Sequence, residues 1–437
     1  MLCTGCRAVR YCGHDHQTQN WPKHKLNCIN FKRMRKNVAK EEQYLLNGRE
    51  GFMTPDNAFE SHVGQFWSVM ATRDYVRALF TLGTNLRTMN TPDSVREGLD
   101  HMLELLRLDR RDGMGQRDFA PAMMLRLDKD QECYDFLKWW AINDPDASGD
   151  WGDMSLPYLD LHGADVMEDP EFLMRDSNFS LDHLTMFLLL KLKLLVDVRN
   201  LQVLRKIYKA RKMPTELLLM VEPMAVRSPI SASRFVGLSD NALNALEKKL
   251  TRQAYDIGIK TRARNHCFIP VLFEPESSLC ADLVKYERES WEEADLAIQS
   301  SYAAYWETSG VLDLLADARL CGARDAAWEI AGILKHDNAD HKKDRTSPEE
   351  RVCDVSIVRI WTHLEDAVEN SRFLGPYSER PSEQKRKQSR GAKVAAKRKG
   401  KKNDSSDYDP KVEARVLRTF VDKRVWDADF CVGRTHF

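Results

Sequence analysis

The chain reads as an all-α protein with a small zinc-binding module at its N-terminus. Three observations predict this. Apolar residues recur at helical spacing along most of residues 29–375. No strand–turn–strand alternation and no βαβ rhythm interrupts them. Four of the ten cysteines fall within the first 28 residues, with histidines among them, while Cys133, Cys267, Cys280, Cys321, Cys353 and Cys431 are scattered singly. A secreted disulfide framework would be distributed differently, so the cluster points to metal and the singletons to small buried residues in a reducing compartment.

Residues 3–28 read CTGCRAVRYCGHDHQTQNWPKHKLNC. Zinc takes four ligands in a tetrahedron, from thiolate sulfur and imidazole nitrogen. Ligands two or three residues apart can reach one metal from a single turn. Three such pairs are present: Cys3 with Cys6, Cys12 with His16, and His24 with Cys28. Spacing alone lets Cys3 and Cys6 close with either of the other pairs, leaving the third pair spare. His14 lies between Cys12 and His16, on the wrong side of a knuckle for a ligand. A closed Cys/His set leaves no open coordination position, so the expected role of the metal is structural, not catalytic.

The run YCGHDHQTQNWPKHKLNC resembles the second half of a MYND-type zinc finger. The matching features are Tyr11-Cys12, a ligand at His16 followed by Gln17, Trp21, His24-Lys25 and Cys28. Most MYND fingers have Cys where His16 stands, and neutral imidazole is a sound replacement. The resemblance implies two zincs held by interleaved pairs, the first pair with the third and the second with the fourth. On that scheme Cys3, Cys6, His24 and Cys28 form one complete site. Cys12 and His16 then belong to a second site lacking two ligands. Their Cys-x-x-Cys partner is expected several residues before Cys3, where Met1 and Leu2 stand, so the finger is expected to be N-terminally incomplete. The resemblance also implies a groove for short Pro-containing peptides beside Trp21.

Helices are expected to follow the finger directly. FKRMRKNVAKEEQYLLN is charged and amphipathic. From Ser94, Val95, Leu99, Met102 and Leu106 form one stripe, with Thr91-Pro92-Asp93 as the stop before it and Ser94 as a weak cap. A Gly turn, a second helix ending near Leu125 and Leu127, and a third through Trp139 and Trp140 complete a hairpin and the start of another. Residues 94–142 thereby resemble tetratricopeptide-like hairpins. Further helices are expected over Leu181–Arg199, Glu216–Val221, Asn241–Tyr255, Ala294–Ala316, Ala323–Leu334 and Arg351–Ser371. FMTPDNAFESHVGQFW, from Phe52, and DGMGQRDFAPAMMLRLDKDQECYDFLKWW, from Asp112, also resemble uncharacterised fungal proteins with a MYND finger on a helical body, a resemblance over the first 200 or so residues that implies no activity. The expected organisation is a finger over 1–28, a helical body over 29–375, a basic disordered linker over 376–410 and a short C-terminal segment over 411–437.

Two other motifs have bland readings. DPDASGDWGDMS, from Asp144, resembles a calcium loop, but Ser155 stands where the bidentate Glu should be and Trp151 crowds the loop. It is read as an acidic surface loop. RNHCF, from Arg264 to Phe268, is similar to the Asn-His of SET-domain lysine methyltransferases, some of which carry a MYND finger. The rest of that motif set is absent, so His266 and Cys267 are read as structural, with a divergent methyltransferase as the alternative function.

The chain carries 66 basic and 66 acidic residues, but ten Lys or Arg and no acid fall in residues 385–402, KRKQSRGAKVAAKRKGKK. The rest is mildly acidic, which argues against a general nucleic-acid binder. The basic run fits a two-part nuclear import signal, or a linker touching nucleic acid weakly through phosphates. No apolar run is long enough to cross a bilayer; MFLLLKLKLLV, from Met186, is short and carries two lysines. With no signal sequence either, the expected location is intracellular, nucleus or cytoplasm. The expected function is a non-enzymatic adaptor for protein partners, in transcriptional regulation, with the finger taking Pro-containing peptides and the helical body a second partner.

Overall fold

The structure is a computed structural model and describes residues 1–47, 55, 57–143, 153–174, 179–281, 286–329 and 359–370. Among them all regular structure is helical, with isolated β-bridges only. They form two compact units, Met1–Glu168 and the residues from Asp169 onward. The calcium-like stretch before Asp153 and the basic run 385–402 lie outside the described residues, as do Cys353 and Cys431.

In the first unit, helix α1 spans His14–Leu46, α2 Arg73–Leu86, α3 Pro92–Leu108, α4 Gln116–Arg126 and α5 Asp130–Ile142. Each packs on the next along the chain. Helix α1 does not wait for the finger to end. It starts at His14 and carries Trp21, His24 and Cys28 on its second to fourth turns. Helix α2 was not expected from the sequence, although its buried Tyr75, Val76, Leu79, Leu82 and Leu86 follow a helical stripe. Helix α3 begins earlier than Ser94. Thr91 is its cap and Pro92 its first residue, and Ser94 serves as the third helical position of a capping box. The stop signal and the start signal are therefore the same three residues.

In the second unit, α6 spans Leu181–Arg211, α7 Thr215–Ala225, α8 Asp240–Arg264, α9 Trp291–Glu307, α10 Val311–Asp325 and α11 Leu364–Asn370. Helix α6 outruns its expected end at Arg199. From Leu181 to Gln202 it is buried on every side, with α7, α8, α9 and α10 against it. Two of its lysines are buried too: Lys191 and Lys193 lie inside the unit, within the MFLLLKLKLLV run that forms a core helix. Helix α7 continues past its expected stop through Pro223, whose missing N–H frees the carbonyl of the exposed Leu219. The single helix expected over Ala294–Ala316 is two, because Gly310 at φ 90° turns the chain between α9 and α10. Helix α8 is capped by Ser239 and runs on to Arg264. Of the last two expected helices, residues 330–334, 351–358 and 371 lie outside the described residues. No described helix is long and apolar enough to cross a membrane.

Candidate metal centre

The first twelve residues fold into a small reversal. Leu2 and Arg10 form an antiparallel bridge, and Cys3 N–H donates to Val9 O at 2.9 Å while Tyr11 N–H donates to Met1 O at 2.7 Å. Within it, Arg7 at φ 57° closes the turn that follows Cys6, and the Ala8 N–H points at Cys6 Sγ from 3.5 Å. That turn presents both sulfurs of the first pair on one side. The second pair comes from α1, where His24 and Cys28 stand four residues apart and so share a face.

The two pairs meet. Cys3 Sγ lies 3.7 Å from Cys28 Sγ, and Cys6 Sγ lies 3.4 Å from His24 Nε2. All four ligand atoms lie within 4.8 Å of one another, and all four residues are buried. A zinc tetrahedron with about 2.3 Å bonds to sulfur and about 2.0 Å to nitrogen has edges of about 3.8 Å between sulfurs and about 3.5 Å between sulfur and nitrogen. The spacing therefore fits zinc, and the soft three-sulfur, one-nitrogen set suits it. Gly5 is part of the fit. A Cβ there would sit 2.6 Å from Cys28 Sγ, so the knuckle closes over the ligands only without a side chain.

Without a cation the cluster is electrostatically mixed. Burial pushes the Cys28 thiol up to about 12, helped by its neighbours Cys3 and Cys6, and burial also pushes Cys6 up. Burial acts on Cys3 as well, but backbone N–H groups of Cys6 and Gly5 and the His24 ring outweigh it and hold Cys3 at about 6. The field of a bound dication would favour the thiolate form of all three cysteines. Bound zinc would supply a structural crosslink between the reversal and α1.

The structure leaves Cys12 and His16 outside this cluster. They contact each other, Sγ to Nδ1, both exposed, Cys12 just before α1 and His16 in its first turn. Trp21 is 40% exposed, and its indole meets the His24 ring edge-on at 6.1 Å. Tyr11 flanks His24 on another side at 6.0 Å and donates from its hydroxyl to Asn20 Oδ1.

What sequence reasoning missed is how the cluster is held. Cys3, Cys6, Ala8, Tyr11, Cys28 and Phe31 pack in one apolar cluster with Leu82 and Leu86 of α2. Arg35 Nε and Nη2 both donate to Cys6 O, at 3.0 and 2.8 Å, and the same guanidinium pairs with Glu97 on α3. Thr91, the cap of α3, donates its hydroxyl to Ala8 O, and Arg10 pairs with Asp93. The signal for part of this was readable. His24, Cys28, Phe31 and Val38 continue one stripe along α1, with partly buried Met34 beside it.

Asn265 and His266, singled out as methyltransferase-like, stand apart in the second unit. Asn265 is buried, donates to Ser290 O and Glu293 Oε2, and accepts from Cys267 N–H. His266 is exposed. The Asn265 side chain is thus spent on holding the chain after α8 to the start of α9.

With this geometry in hand, comparison with known families is specific. The family model for the MYND finger matches residues 1–28. The N-terminal segment is a MYND finger, and its buried Cys3, Cys6, His24 and Cys28 are a zinc-binding cluster. No curated protein and no solved structure matches the chain, so nothing outside it supports the tetratricopeptide likeness of residues 94–142.

Proposed function

We propose that the protein is an interaction adaptor whose finger docks short Pro-containing peptides and whose helical body docks a second partner. The observation that carries the reading is Trp21. Its indole is partly exposed yet seated against a buried zinc ligand, so it is a rigid aromatic surface rather than a mobile side chain. Extended Pro-rich chains dock on such surfaces at little entropic cost. Zinc is structural here, standing in for a core that 28 residues cannot build. For the second surface, α7 offers exposed Leu219, Met220 and Met224. A role in transcriptional regulation follows if residues 385–402 act as a nuclear import signal, with only loose contact to nucleic acid.

The test is titration of the zinc-loaded protein with labelled Pro-containing peptides of varied flanking sequence. Saturable binding lost in Trp21→Ala, with zinc content unchanged, is the expected result. Binding that survives Trp21→Ala, or no binding by any such peptide, overturns the reading.

A further inference from the structure

The outward face of α1 is basic. From His16 to Lys40 the helix carries seven Lys or Arg and no acidic residue. Arg35 and Lys40 are paired, with Glu97 and Glu41. Lys23, Lys25, Lys32, Arg33 and Lys36 are all exposed, and among the described residues none of their side chains has an ion-pair partner. Lys25, Ile29, Lys32, Arg33 and Lys36 recur at helical spacing and so share one side, turned away from the buried stripe of His24, Cys28 and Phe31. Two large apolar side chains stand among these cations: Leu26 is 73% exposed and Ile29 51%. Trp21 lies one turn before Lys25, and the face from Trp21 to Lys36 runs about 22 Å.

We propose that this face docks an acidic amphipathic segment of a partner protein, its carboxylates on Lys25, Lys32, Arg33 and Lys36 and its apolar side chains over Leu26 and Ile29. The proposal rests on the docking reading above only in making this face continuous with Trp21. Charge complementarity selects an acidic ligand, since five unpaired cations along one helix raise the local concentration of anions. The apolar pair selects among acidic ligands. A nucleic-acid backbone would neutralise the cations and leave Leu26 and Ile29 facing water. A bilayer would need a continuous apolar stripe, and here Lys25 and Lys32 flank the apolar pair on the same side. An amphipathic peptide satisfies both sets at once.

The experiment uses the full-length, zinc-loaded chain and four probes. They are a fluorescein-labelled peptide of Glu and Leu at helical spacing, an all-Glu peptide of equal length, single-stranded RNA, and vesicles containing anionic lipid. The Glu/Leu peptide should bind most tightly and weaken as salt rises. The triple variant Lys25→Glu, Lys32→Glu, Lys36→Glu should weaken it at least ~10-fold, and Leu26→Ser with Ile29→Ser should erase its advantage over the all-Glu peptide. The Lys→Gln triple serves as a milder second variant, and zinc content per chain reports that the fold survives. Absence of Glu/Leu binding, indifference to these substitutions, or tighter binding of RNA or vesicles overturns the proposal. Trp21→Ala separates the two readings, because it should abolish binding of Pro-containing peptides and leave most of the Glu/Leu peptide's affinity.

Discussion

Arg35 and Glu97 form a two-pronged ion pair between α1 and α3, with one prong at 2.7 Å, while the same guanidinium donates twice to the carbonyl of the zinc ligand Cys6. Burial alone would raise the Glu97 carboxyl; Arg35 and His101 reverse that and bring it to about 2. The pair is therefore charged across the whole physiological range. Through Arg35 the metal knuckle is tied to Glu97, 62 residues from Arg35 in sequence, and the finger is built into the first unit, not hung on it.

Arg35→Ala should loosen the knuckle without touching a ligand. It leaves the Cys6 carbonyl and Glu97 short of their donors. Groups that orient metal ligands typically cost about 10-fold or more in metal affinity when removed. Zinc transfer to a chromogenic chelator should accelerate by about that factor, and an unchanged rate would show that the guanidinium merely covers the site.

Metal content separates the two candidate ligand sets. The wild-type chain should hold one tight zinc, Cys28→Ser should lose it, and Cys12→Ser should keep it. Because Cys3, Cys6 and Cys28 share an apolar cluster with Leu82 and Leu86, Cys28→Ser should also lower the melting of the first unit. A finger folding on its own would leave that transition in place. Calorimetry with and without chelator reads the difference.

Gly5→Ala tests the closeness of the knuckle. The added Cβ would lie 2.6 Å from Cys28 Sγ, well inside any real contact, and Cys28 cannot retreat without leaving the tetrahedron. The variant should bind zinc at least ~10-fold more weakly, measured by competition with a chelator of known affinity. Affinity equal to the wild type would mean the knuckle has room to spare.

In the second unit, Glu293 and Arg264 make a buried bidentate pair at 2.6 and 2.9 Å, and Arg264 also donates to Phe179 O. Glu293→Ala leaves a buried guanidinium half-paired and should cost about 3 kcal/mol in urea unfolding at pH 7. For the Glu293 carboxyl, burial is outweighed by Arg264, by Asn265 and by the Glu289 N–H, so it sits below the ordinary 4.5. A lowered acid contributes stability that is present above the unfolded value and lost as pH falls through the folded one. The gap between wild type and variant should hold from pH 7 to about pH 5 and narrow as pH falls below that ordinary value. A gap independent of pH would make the loss one of packing rather than charge.

Much of the helical class was legible because amphipathic stripes and caps are local. The helix that starts at Pro92 after its Thr91 cap and the helix after Ser239 carry their signals within a few residues. Boundaries failed where distant packing overrode local signals. Helix α6 runs on to Arg211 with only one side of its last turns packed, Leu204 and Tyr208 against Ala225, Leu218 and Val221 of α7, and α1 starts at His14, ahead of the turns that deliver His24 and Cys28 to the knuckle.

The sequence by itself determined the ligand types, their pairwise spacing and hence the metal. It left two ways of closing the first pair. Tertiary structure decided between them, because joining residues 18 and 25 positions apart depends on how the chain reverses between Tyr11 and His14, which spacing does not encode. It also decided that Arg35 braces the site and that Lys25, Lys32 and Lys36 face outward. Seven basic residues on one helix look alike in a string of letters, and only the packing of the opposite face against α2 and α3 tells a brace from a docking surface.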